Sequence, residues 1–61
     1  MSKTQDLLDS FVGCIEVHRD NWIAMAENAK DAGQAQLATE MLRMADGCEN
    51  IIKLAKQKWG N

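Results

Sequence analysis

The chain has 61 residues, 46% of them hydrophobic and 26% charged, with no proline, two cysteines and a formal net charge of −2. A chain of that length makes one domain and buries only about 60% of the surface its unfolded form exposes. Additional stability must therefore come from disulfides, a metal or self-association, and two cysteines cannot build a disulfide scaffold. The slightly acidic balance excludes a global attraction to nucleic acid or to anionic lipid, while the proline-free, apolar composition suits regular helix rather than disorder. The opening stretch Met1-Ser2-Lys3-Thr4-Gln5-Asp6 has no apolar targeting core, and no apolar run approaches the length of a membrane span. The expectation is a cytoplasmic chain without membrane contact, its thiols reduced.

A first helix is expected over about residues 4–31. Thr4 or Ser2 can cap it, since Gln5 follows Ser2 at capping-box spacing, and Asp6 and Asp9 lie in the early turns where the helix dipole favours negative charge. Its apolar stripe runs Leu8, Phe11, Ile15, His18, Trp22, Met25, Ala29, with Val12 and Ala26 alongside. Arg19 is a misfit on that flank and must either snorkel to the edge or pair with an acid of another chain. Gly33 is the natural left-handed residue after a helix end, with Lys30 in the last turn, so the turn falls at about residues 32–34.

A second helix is expected over about residues 35–59, closed by Gly60. Ala38, Met41, Ala45, Cys48, Ile52, Ala55 and Trp59 alternate in steps of three and four, and Leu37, Met44 and Ile51 form a second row at seven-residue intervals. So short a connection sets the helices antiparallel, with residue i near residue 65 minus i. The expected fold is an all-α, two-helix hairpin in a single domain over residues 1–61, with coiled-coil-like periodicity. Leu8, Phe11, Ile15, Trp22, Met25, Leu37, Met41, Met44, Cys48, Ile51, Ile52 and Trp59 are expected to fill its core and a dimer interface. The second row has no partner within one hairpin, so the hairpin should pair with a copy of itself into a four-helix bundle.

Candidate functional residues are few. Cys14 and His18 lie four residues apart on one helix with Cys48 expected opposite, two sulfurs and an imidazole of the type that bind zinc or copper(I). A fourth ligand would have to come from Met44 or from a second protomer. Buried cysteines also act simply as small hydrophobes. A nucleophilic cysteine needs a base and an orienting group in a cleft, and none is evident, so neither enzymatic activity nor a cofactor is expected. Gly13 and Gly47 interrupt the helices at roughly 1 kcal/mol each relative to alanine, and Gly47, opposite His18, could make room for the imidazole or for a neighbouring protomer. Val17 and Ile23, with Ala24, lie off the main stripe and could form a docking patch for another protein. Lys53, Lys56 and Lys58 beside Trp59 combine charge with an aromatic ring, a pairing able to grip phosphates and stack on bases, although lysines also complement a helix C-terminus.

The central turn Asp31-Ala32-Gly33-Gln34-Ala35, the pair Ala45-Asp46 and the inward spacing of Ala38, Met41, Ala45, Cys48 and Ile52 resemble the Rop-like family of plasmid copy-number regulators. That resemblance implies hairpins dimerised into an antiparallel four-helix bundle that binds paired RNA loops. In that family the RNA face lies on the first helices, with basic and amide side chains around an exposed phenylalanine. Here residues 1–32 carry three basic and six acidic side chains, and Phe11 reads as core. The expected function is therefore that of a small non-enzymatic regulatory or adaptor protein binding a macromolecule, foremost another protein, through its outer helix faces. A Rop-like RNA-binding regulator and a metal- or thiol-handling protein using Cys14, His18 and Cys48 are the alternatives.

Overall fold

A computed structural model describes residues 3–60. Two helices, α1 over Lys3–Asp31 and α2 over Ala35–Trp59, pack against each other as an antiparallel hairpin, and the described residues contain no strand. Both boundaries at the turn fall where the glycine signal places them. The Gly33 backbone has φ +78°, its N–H donates to the Lys30 carbonyl at 3.0 Å, and the Gln34 N–H donates to the Ala29 carbonyl at 2.8 Å. This crossed pair of bonds is the Schellman motif, which satisfies carbonyls that the last turn of a helix otherwise leaves free.

The helix starts are plainer than the capping pattern suggests. Thr4 lies inside α1 and so does not cap it, and the Ser2 cap lies outside the described residues. At α2, Gln34 makes no side-chain capping bond, while its carbonyl accepts the Ala38 N–H at 3.0 Å. Gly60 closes α2 by donating its N–H to the Lys56 carbonyl at 2.8 Å.

The line of contact on α1 differs from the expected stripe. Leu8, Val12, Ala26 and Ala29 are buried against α2, with Ile15, Arg19 and Trp22 half-buried between them. Phe11, His18 and Met25, expected on the same central stripe, are exposed in the hairpin. Size explains the rotation. On α2 the buried residues are Ala38, Ala45, Ile52 and Ala55, so five of the eight buried side chains of the hairpin are alanines. Alanines let two helix backbones approach to the short end of the usual 8–10 Å interaxial range. Phe11 or Met25 in that line would wedge the helices apart.

The core is accordingly thin. One cluster joins Leu8 and Val12 to Ile52 and Ala55, with Ile15 packed on it; the other joins Ala26 and Ala29 to Ala38, with Met41 packed on it. Between them Arg19 crosses the seam to Glu49, Nη1 to Oε1 at 2.7 Å, while its Nε and Nη2 reach Asp20. This corrects one expectation: Arg19 finds its acid within its own chain, at Glu49, three residues beyond the level of position 46, a rise of about 4.5 Å that two long side chains span. The bonds to Glu49 and then Asp20 raise the guanidinium pKa above its ordinary value, so Arg19 stays charged at every accessible pH.

The turn and the seam give two expected outcomes by thermal unfolding. Gly33→Ala forces a Cβ into the left-handed region and should cost roughly 1–2 kcal/mol, although nothing lies within 4 Å of that Cβ. Trp22→Ala should remove a half-buried ring from the seam and cost about 3 kcal/mol. An unchanged midpoint for the latter would mean that the ring does not pack between the helices.

Candidate interaction surface

Val17, Ile23 and Leu42 are exposed elsewhere on the hairpin, and with the seam occupied by Leu8, Val12, Trp22 and the alanines two rows of large apolar side chains lie along one side of it. On α1 these are Phe11 and Met25, seven residues either side of His18; on α2 they are Leu37, Met44 and Ile51. These five are 40% to 52% exposed. Both rows lie on the same side of the hairpin, since a single surface depression is lined by Phe11 from α1 and by Ile51, Leu54, Lys58 and Trp59 from α2. A second depression continues it, lined by Thr4, Leu7, Leu8, Phe11 and Trp59. Leu7 and Leu54 thus extend this face, a role not read from the sequence. The signal was available, because Leu54 follows Ile51 by three residues and Leu7 precedes Phe11 by four.

The opposite side has a different character. There Arg19 and Glu49 pair across the helices, and a third depression is lined by Gln5, Asp9 and Lys56 together with Leu8, Val12 and Gly60. No polar or charged residue is buried among the described residues.

The candidate metal triad does not assemble. Cys14 is an exposed free thiol, Cys48 is half-buried, and His18 is exposed. Among the described residues, no group of three or more His, Cys, Asp or Glu side chains could hold a metal ion. Nor does Gly47 make room for the imidazole, because nothing lies within 4 Å of a Cβ built at either Gly13 or Gly47. The close packing invoked for both glycines is absent from the hairpin.

The candidate partner-binding residues are all exposed but dispersed. Val17 and Ile23 are six residues apart, about 120° around the helix at 3.6 residues per turn, so they do not share one patch. Lys53 and Lys58 are likewise about 140° apart. Lys56 lines the depression that also contains Asp9, and Lys58 holds its Nζ 5.0 Å from the centroid of the Trp59 ring. The aromatic face that could stack on a base is thus engaged by the chain's own lysine. No described helix is long and apolar enough to cross a membrane. Comparison with protein-family models, with curated proteins and with solved structures gives no match.

Dispersed lysines that serve the helix end predict a definite result. Changing Lys53, Lys56 and Lys58 together to glutamine should lower stability by about 1 kcal/mol through the helix dipole. The unmodified protein should show no tight RNA binding with a steep salt dependence. Such binding, abolished in the triple variant, would put the Rop-like reading first.

Proposed function

We propose that this protein is a small, non-enzymatic regulatory or adaptor protein: a homodimeric four-helix bundle that binds a macromolecule, foremost another protein, through its outer helix surfaces. The observation that carries the reading is the mismatch between what one hairpin buries and what it leaves out. An alanine side chain removes little apolar surface from water, whereas full burial of a Leu, Ile, Phe or Met contributes roughly 1.5–3 kcal/mol. The hairpin buries mainly alanines and leaves Phe11, Met25, Leu37, Met44 and Ile51 in water.

Compactness points the same way. The Cα radius of gyration is 14.2 Å, against about 10.5 Å for a globular domain of this length. A chain so extended has the proportions of one layer of a bundle, and a second layer supplies what it lacks. Within the assembled bundle, side chains directed away from both layers, Val17 and Ile23 among them, remain for a further partner.

Dimerisation ties stability to concentration. The thermal midpoint should rise on going from micromolar to millimolar protein, and sedimentation should give twice the chain mass. A single-chain mass with a concentration-independent midpoint would sink this reading.

A further inference from the structure

Building on the dimer reading, we infer that Cys14 and His18 of α1 are half of a zinc site that the same two residues of a second copy complete: a closed tetrahedral centre of two thiolates and two imidazoles, held between the chains. Three observations lead to it.

The first is placement. Leu7 and Phe11, four residues apart on α1, line the apolar depression at the open end of the hairpin. Cys14 and His18 repeat that pair seven residues further on, a step that turns only about 20° around the helix. A sulfur and an imidazole therefore continue a row that apolar side chains begin, with Met25 another seven residues beyond His18. Four-residue spacing puts two side chains on one helix face with their Cβ atoms about 5–6 Å apart, close enough to share one ion, as histidines at that spacing do for zinc.

The second is availability. Cys14 is a free, exposed thiol, and His18 is exposed. The side-chain bonds of the hairpin join Gln5 to Asp9, Arg19 to Asp20 and Glu49, Arg43 to Glu40, and Thr39 to the Ala35 carbonyl; Cys14 and His18 take no part in them. Within one chain the set stops at two ligands, since no group of three such side chains forms among the described residues. A two-fold interface presents the same patch twice, so two ligands become four, the number that fills a structural zinc site and leaves no open position. This requirement puts the pair beside the axis and leaves the relative direction of the two chains open.

The third is charge. A divalent ion covered by apolar side chains is costly unless its ligands neutralise it. Two thiolates cancel the charge of one zinc ion and two neutral imidazoles add none, so the centre suits a row that holds Phe11 and Met25. Binding releases the two thiol protons to solvent. It also gives the His18 ring, once covered, a partner for the nitrogen that would otherwise lack one.

The test uses the full chain, kept reduced and stripped of metal by a chelator, with cobalt(II) as the spectroscopic probe. Titration should produce the visible absorption of a tetrahedral cobalt–thiolate centre, saturating at one ion per two chains and abolished by excess zinc. In sedimentation, zinc at about 100 times its dissociation constant should strengthen dimerisation about 100-fold. Cys14→Ser and His18→Ala change exposed side chains outside the seam, so each should keep the helical content of the hairpin and abolish this uptake, whereas Cys48→Ala should retain it. A dimer that takes up no cobalt, uptake of one ion per chain, or a signal that survives Cys14→Ser and disappears in Cys48→Ala would overturn the site and leave the dimer reading standing. A chain that stays single at every concentration, with zinc and without it, would overturn both.

Discussion

Close approach of the two helices along an alanine seam governs the rest of this structure. Ala26 and Ala29 meet Ala38, and Ala55 sits with Leu8, Val12 and Ile52. Such a seam fixes the rotation of each helix, since any larger side chain in the line would separate the backbones. It also determines what is left outside. Once Val12 and Ala26 take the inner position on α1, Phe11, His18 and Met25 must face sideways, and on α2 the same rotation carries Leu37, Met44 and Ile51 to the matching side. One geometric choice, small residues inward, thereby leaves a row of large apolar side chains on each helix beside the seam.

That inversion of size has an energetic meaning. In a self-sufficient domain the bulkiest apolar side chains are the most buried, because they contribute most when removed from water. Here, among the described residues, the most enclosed are alanines together with Ile52, while most of the large apolar side chains stay partly exposed. The short-range order comes from the seam and from the Schellman turn at Gly33, while Phe11, Met25, Leu37, Met44 and Ile51 stay 40% to 52% exposed, so part of the available hydrophobic free energy is unused within the hairpin.

The architecture was legible in the sequence because it rests on period and punctuation. Steps of three and four between Ala38 and Trp59, and a lone glycine between two such runs, specify two helices and their join. The rotation of α1 was less legible for a physical reason. Leu8, Ile15, Trp22 and Ala29 belong equally to two overlapping stripes, one completed by Phe11, His18 and Met25 and the other by Val12, Arg19 and Ala26. Hydrophobicity alone prefers the first, since the second contains an arginine. What decides is the size match with the alanines of α2, a property of the pair of helices rather than of either one. The candidate site was legible as individual residues, but its grouping depended on that rotation, which is why Cys14, His18 and Cys48 do not form a ligand set and Leu7 and Leu54 join the face.

Arg19 then takes on a role that its place in the pattern conceals. An arginine in an apolar seam leaves uncovered the desolvation cost of its charge unless an acid reaches it, and Glu49 does so at 2.7 Å from the adjacent helix. Both side chains keep partial contact with water, on the side away from Phe11 and Ile51. Covering that side would strip the pair of water and of its remaining favourable contacts, while the depression on the Phe11 side is lined by Phe11, Ile51, Leu54, Ala55 and Trp59 with Gln57 and Lys58 as its polar members. The two sides of the hairpin are therefore unequal in what covering them would cost: an ion pair on one, chiefly apolar surface on the other.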